Sequence, residues 1–303
     1  MTGTLNFDAI IIGGSYSGLS AAMGLGRALR KVLVIDNGKP CNIQTPYSHN
    51  FLTQDGKTPK EILAAAKKQV EKYDTVNFYN GFAHSGIKSE EGFEITTDSG
   101  KHFTAKKLLF ATGIKDTIPN IKGFAECWGI SILHCPYCHG YEVKNEKTGI
   151  FGNGDYGFEF SKLILNWTKD LTLFTNGPAT LTVDQAEKLK THNINIIEKE
   201  IDSFEHNNGH LQNIVFKDSS TSKLKAVYSR IPFEQHSDIP VNLGCELTDQ
   251  GHIKVDLYQK TSVDGIYACG DNTMPMRSVS SAVAGGTLSG AMINMELVNE
   301  MFS

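Results

Sequence analysis

The apolar positions of this chain come in short bursts rather than in long periodic stripes. Phe7-Asp8-Ala9-Ile10-Ile11-Ile12-Gly13-Gly14 is a β-branched run closed by two glycines. It has the pattern of a strand buried on both faces of a parallel sheet, where alternation is lost because neither face meets water. Ser15 to Gly18 turn the chain, and Leu19 to Leu29 has the Ala, Leu and Met of a helix. Lys31-Val32-Leu33-Val34-Ile35 is a second strand, ending on Asp36. The same rhythm returns at Thr148-Gly149-Ile150-Phe151, with a helix from Phe158 to about Trp167 and a strand from Asp170 to Phe174. Lys107 to Gly113 and Thr261 to Asp271 are further strands, ending in Ala-Thr-Gly and Gly-Asp. An amphipathic helix over Lys60–Tyr73, a hairpin over Phe93–Phe103 and a polar inter-strand turn at 205–210 complete the outline. Strands alternating with helices predict an α/β fold.

Charge adds mainly exclusions. The 303 residues are enough for two domains, and a formal net charge of −4 offers no field for nucleic acid or an anionic membrane. No apolar run approaches the roughly 20 residues of a membrane span, and the N-terminus lacks a basic n-region. A cytoplasmic protein is expected. Of six cysteines, Cys41, Cys127, Cys245 and Cys269 stand singly, and are expected as small buried apolar residues. Cys135 and Cys138 form the close pair.

Three segments carry chemistry. The first is the glycine turn: Gly13, Gly14 and Gly18, with Ser15 at the middle glycine position and Asp36 placed 18 residues after Gly18. A βαβ unit with that spacing points to a dinucleotide, its pyrophosphate at the helix N-terminus and its ribose near the acid. The second turn has all three glycines, Gly152, Gly154 and Gly157, consistent with a nicotinamide dinucleotide. Yet Phe174-Thr175-Asn176-Gly177 offers neither arginines for the 2′-phosphate of NADPH nor an acid for the ribose of NADH. Weak binding of either nucleotide, a different adenosine pocket and a vestigial domain all stay open. The third segment is His134-Cys135-Pro136-Tyr137-Cys138-His139, which reads as a zinc knuckle, a haem attachment string or a redox dithiol. Haem attachment wants an exported protein and an axial ligand, and zinc wants about four well-placed ligands. The spacing of the pair alone does not decide among the three.

The first turn, Ala111-Thr112-Gly113 and Gly270-Asp271 together resemble the FAD-binding pattern of the two-dinucleotide-domain flavoproteins. With both glycine turns, the inserted Cys-x-x-Cys and the 14-residue step from Cys138 to Gly152, nearly the whole chain resembles the low-molecular-weight thioredoxin reductase family. These are class II pyridine nucleotide-disulfide oxidoreductases. The string Cys-Pro-Tyr-Cys-His-Gly-Tyr-Glu is similar to the branch that includes dithiol oxidases of the gliotoxin and holomycin type.

The resemblance implies two nested Rossmann-like domains of the three-layer ββα type. Residues 1–115 and 241–303 would bind FAD, and 116–240 would form an NAD(P)-binding-like domain carrying the dithiol. It implies FAD contacts from Gly13, Gly14, Ser15, Gly18, Asp36, His49 or Asn50, Ala111, Gly113 and Asp271, and from the helix start at Arg277, Ser278 and Val279. Gly152, Gly154 and Gly157 would meet NADPH or NADH. Cys138 would be the flavin-proximal thiol and Cys135 the interchange thiol.

His139 replaces the reductases' aspartate and would act as acid or base near neutral pH. His134 would share at most in its proton path, and Glu142 reads as a surface or hinge residue. The expected partner is a thioredoxin-like protein or a small-molecule dithiol or disulfide, and the expected assembly is a homodimer. Electron flow stays open between a reductase and an oxygen-dependent oxidase, with a non-catalytic flavin redox sensor as a third reading.

Overall fold

The computed structural model describes residues 5–303. The chain divides into two compact units. One comprises residues up to 43 with 51–115 and 233–303; the other comprises 44–50 and 116–232.

In the first unit β1 (Leu5–Ile12) lies parallel to β2 (Val32–Asp36), with α1 (Tyr16–Arg27) between them in sequence. α2 (Pro59–Val70) then leads to β3 (Val76–Asn80), β4 (Ala83–Ser89), β5 (Gly92–Thr97) and β6 (His102–Phe110). The sheet order is β3-β2-β1-β6-β5-β4, and a late strand, Ile266–Ala268, pairs in parallel with the end of β6. The apolar run of β1 is continuous because both its faces are covered, yet its residues alternate between two cores. Ile10, Ile12, Leu33, Ile35, Leu108 and Phe110 join Phe93 and Ile95 of the β-meander. Ala9, Ile11, Val32, Val34 and Leu109 join Leu19, Ala22 and Leu25 of α1 and Ile293 and Leu297 of the C-terminal helix, Val279–Phe302. That is the ββα layering the resemblance implies.

The helix pair is close for a reason in the sequence. Gly286 and Gly290 face Ser17 and Ala21, and a Cβ on Gly286 would sit 2.0 Å from the Ser17 carbonyl oxygen. Beneath this pair Lys107 is buried, held by Glu296 and Glu300 of the C-terminal helix. Lys260 Nζ and Tyr267 Oη also meet Glu296, at 2.8 and 2.5 Å.

The second unit repeats the plan. Its five strands, Asn195–Ile197, Leu171–Phe174, Thr148–Phe151, Ala226–Ser229 and Ile132–Leu133, are all parallel in that order. One face packs Ile150, Leu173 and Tyr228 against Ile164 and Leu189 of its helices. The other packs Phe174 and Val227 against Phe204, Leu211 and Phe216 of an antiparallel meander. The turn at 205–210 is a hairpin loop, with Asn208 and Gly209 both at positive φ (50° and 79°), as a two-residue turn of that twist requires.

Element boundaries shift from the expectation mainly at the glycine turns. The helices expected from Leu19 and Phe158 begin at Tyr16 and Gly154, because Ser15 and Asn153 act as N-caps inside the turns. Three of the single cysteines are buried as expected, but Cys41 is exposed, on an irregular stretch with no sheet to cover it. No helix among the described residues is long and apolar enough to cross a membrane.

Candidate functional site

The first glycine turn is built around contacts no side chain could share. Gly13 has φ +106°, and a Cβ there would fall 2.2 Å from the Ala111 carbonyl oxygen; a Cβ on Gly18 would fall 1.9 Å from that of Gly13. Ser15 is the N-cap of α1, but no side chain caps the helix and no acid lies in its first turn. The amides there remain available to an anion, the arrangement that holds a pyrophosphate. Asp36 receives the Gly14 amide at 3.0 Å and the Gly38 amide at 3.2 Å, so the carboxylate expected at a ribose also fixes the turn.

Around the Gly-Asp segment, Arg277 Nε lies 3.6 Å from Asp271 Oδ2, and the Cys41 thiol lies 3.9 Å from the same carboxylate oxygen. Ser278 caps the C-terminal helix by accepting from the Ser281 amide at 3.1 Å. Gly113 has φ +64°. The sequence reasoning missed Asn272, the residue after Gly270-Asp271. It is fully buried, its amide donates to the Phe110 carbonyl at 2.9 Å, and its Oδ1 has no partner among the described residues. An orphaned buried acceptor beside an open helix N-terminus fits a ligand that brings both phosphate and a hydrogen-bond donor, as FAD does.

The second turn has the same glycines and the opposite character. Asn153 Oδ1 accepts from the Gly154 amide (2.8 Å), the Thr180 amide (2.8 Å) and the Thr180 hydroxyl (3.1 Å). Its Nδ2 donates to the Pro178 carbonyl at 2.9 Å. Thr180 therefore rests on the turn, 2.9 Å from where a Gly154 Cβ would be. Asp155 adds a negative charge to the first helical turn, held by Gln185 at 2.7 Å. At the strand end, Asn176 Oδ1 takes the Ile201 amide at 2.7 Å, and the Thr175 hydroxyl donates to the Gly177 carbonyl at 2.7 Å. Those groups are committed to the fold. As folded, the Gly154 amide is already bonded to Asn153 Oδ1 and the Asp155 carboxylate lies in the same helical turn, so the turn is less open to a nicotinamide dinucleotide's pyrophosphate than the first is to an anion. Displacing the Asn153 Oδ1 forfeits the three hydrogen bonds it accepts, about 1 kcal/mol each, a loss on the order of 100-fold in nucleotide affinity.

The dithiol lies in the second unit. Cys135 and Cys138 are joined as a disulfide with Cα atoms 5.3 Å apart. Cys135 is the N-cap of a one-turn helix, Pro136–His139, with Pro136 set at the first helical position, where its fixed φ suits the turn. The Cys138 amide donates to Cys135 Sγ at 3.2 Å, a contact that would favour a thiolate at Cys135 on reduction. Behind the helix Gly140 packs directly on the Trp167 indole, where a Cβ would lie 2.6 Å from the ring nitrogen. Tyr137 meets Trp167 edge to face at 5.5 Å.

His139 follows Cys138. Burial and the neighbouring His49 push its pKa down to about 4. The expectation of a histidine titrating near neutrality is thereby corrected: at pH 7 only about one molecule in a thousand carries the charged form. A neutral imidazole can accept a proton but has none to spare as an acid. His49 belongs to the second unit, with Nε2 3.5 Å from Glu142 Oε1. His134 has its ring 6.0 Å from the Trp128 ring.

Comparison with known proteins places this geometry. The pyridine nucleotide-disulphide oxidoreductase family pattern matches residues 7–286. The thioredoxin reductase tcpT of Claviceps purpurea is 31% identical over 309 residues, covering 97% of this chain and 95% of its own. Among solved structures, an oxidoreductase from Agrobacterium tumefaciens superposes with a TM-score of 0.91 at 35% identity, covering 97% of this chain and 99% of its own. HlmI superposes with a TM-score of 0.93 at 29% identity, covering all of this chain and 95% of its own.

Proposed function

The chain belongs to the pyridine nucleotide-disulphide oxidoreductase family, and from that premise we propose that this thioredoxin-reductase-like enzyme runs as a dithiol oxidase. Electrons would enter from a small dithiol at Cys135–Cys138 and, with FAD held by the first unit, would pass on to oxygen. The observation that carries the direction is the second glycine turn, closed by Asn153 and Thr180. Gly13, Gly14, Ser15, Gly18, Asp36, Ala111, Gly113, Asp271, Asn272 and the Arg277–Val279 helix start would hold FAD. Bound FAD supplies the two-electron acceptor for the dithiol and the route to oxygen.

The chain's own residues perform the exchange. A substrate thiolate attacks Cys135 Sγ, the Cys135–Cys138 bond breaks, and Cys138 leaves as a thiolate. The second substrate thiol then attacks the mixed disulfide, closing the substrate's disulfide and releasing Cys135. His139, neutral before the reaction, is the base that takes a substrate proton. The Cys138 amide on Cys135 Sγ supports its role as the interchange thiol.

A second reading is the reductase, in which a nicotinamide nucleotide feeds electrons toward a thioredoxin-like protein. The three glycines of the second turn favour it. On either reading we place the protein in the cytoplasm as a homodimer, which sedimentation would register as twice the chain mass.

The oxidase reading is tested by aerobic turnover of dithiothreitol with the flavin-loaded protein. Oxygen uptake should match dithiol consumed, and Cys135→Ser and Cys138→Ser should each reduce it at least 1,000-fold, on the order expected for loss of a nucleophile acting as part of a unit. Turnover retained in Cys138→Ser would rule out the dithiol mechanism.

A further inference from the structure

Residues 44–50 lie in sequence between elements of the first unit but pack with the second. Gln44 Nε2 donates to the carbonyls of Ala125 and Trp128, and a Cβ on Gly129 would come 3.1 Å from the Thr45 hydroxyl. This strap delivers His49 to the dithiol helix, where its Nε2 meets Glu142 at 3.5 Å. Glu142 stands three residues past His139, on the turns that continue the Pro136–His139 helix, and His139 adjoins Cys138. Exposure rises outward along the row: the His49 side chain is 20% accessible and that of Glu142 39%.

The geometry points to His49 and Glu142 as the proton exit of the dithiol site, His49 accepting from His139 and Glu142 orienting His49 at the solvent edge. This rests on the oxidase reading. The balance of the exchange step demands such an exit. A dithiol R(SH)2 and the Cys135–Cys138 disulfide give the substrate disulfide, one cysteine thiol at Cys135, one thiolate at Cys138 and one proton. Two electrons pass from the substrate sulfurs to the cysteine sulfurs, and the proton must leave a partly buried site.

His139 is suited to release rather than storage, because burial and His49 disfavour its charge. A second imidazole takes the proton on, and the Glu142 carboxylate offsets the charge that His49 then carries. The other groups facing this row do not compete. Tyr228, on the strand beneath, is buried and near Glu142, and both burial and that charge raise its pKa and keep it protonated. The Lys144 ammonium lies over the Tyr141 ring, 3.4 Å from its centroid. His134 packs beside Trp128.

The test uses the full-length, flavin-loaded protein with dithiothreitol as probe, over pH 5–9. His49→Ala should lower kcat about tenfold at pH 7, within the range of general acid–base effects, and added imidazole should restore it. Glu142→Gln should lower kcat about threefold and move the acid limb of the profile. His49→Gln keeps a polar side chain on the strap and should behave as His49→Ala, which separates proton transfer from folding. Full activity in both His49 variants, or a loss that imidazole does not repair while flavin content is normal, overturns the relay and leaves the oxidase reading intact. A wild-type protein that does not oxidise dithiothreitol overturns both.

Discussion

The two glycine turns of this chain share a plan and differ in what they offer an anion. Each joins a buried parallel strand to a helix, in a unit of the same three-layer build. In the first, the glycines serve backbone contacts, the helix start carries no acid, and no side chain caps it. In the second, Asn153 caps the helix, Thr180 lies over the turn and Asp155 sits in the first helical turn. Three glycines at the right spacing therefore establish a backbone path, while the neighbouring side chains decide whether a phosphate is welcome.

The largest effect that would break this comparison is at Gly18. Gly18→Ala drives a Cβ to 1.9 Å from the Gly13 carbonyl oxygen, which only a backbone shift can relieve. We expect bound flavin to fall at least 100-fold, read by absorbance after desalting. Gly157→Ala is its counterpart; its Cβ would meet Leu173 Cδ1 at 3.1 Å and the Gly152 backbone at 3.2 Å, in the second unit, so flavin content should stay within about twofold of wild type. Equal flavin loss in both variants would contradict the division of roles.

Opening the second turn should have a smaller effect of the opposite kind. Asn153→Gly removes the acceptor that holds Thr180, and should raise the rate of flavin reduction by NADPH by up to about 100-fold, the three hydrogen bonds of Asn153 Oδ1 no longer opposing the nucleotide. An unchanged rate would mean that the closed turn is not what limits nucleotide use.

The smallest effect concerns stability, through the charge cluster that pins the C-terminal helix to the first sheet. Burial opposes ionisation of Glu296, but Lys107, Lys260 and Tyr267 outweigh it and hold its pKa at about 2. A folded pKa below the unfolded value gives stability that is complete above about pH 4.3 and lost as pH falls toward 2. Glu296→Gln should flatten that acid limb in denaturant titrations between pH 5 and 2. A variant with the wild-type pH slope would remove Glu296 from the account.

How much of this was written in the sequence depends on distance along the chain. The strands and both turns were legible because a strand covered on both faces must be apolar throughout, as Ile10 and Ile11 are. The three-residue spacing of Cys135 and Cys138 left zinc and haem attachment open, and the redox pair became legible only with the glycine turns on either side of it. The closure of the second turn was not, since it depends on Thr180, 27 residues beyond Asn153. Nor was the place of His49, which a strap carries across from its sequence neighbours to Glu142, 93 residues away. Asn272 had a signal, its position directly after Gly270-Asp271, but its value lies in burial without a partner for Oδ1. His139 kept its place, and its protonation changed because burial and His49 are tertiary facts.

The direction of electron flow is the central claim, and anaerobic stopped-flow reduction of the flavin tests it most directly, with dithiothreitol, NADPH and NADH mixed separately. The account predicts fast bleaching by dithiothreitol, bleaching by either nucleotide at least 100-fold slower, and recovery of the yellow colour on admitting air. Fast bleaching by NADPH or NADH, with a sluggish response to dithiothreitol, would contradict it and make the enzyme a reductase.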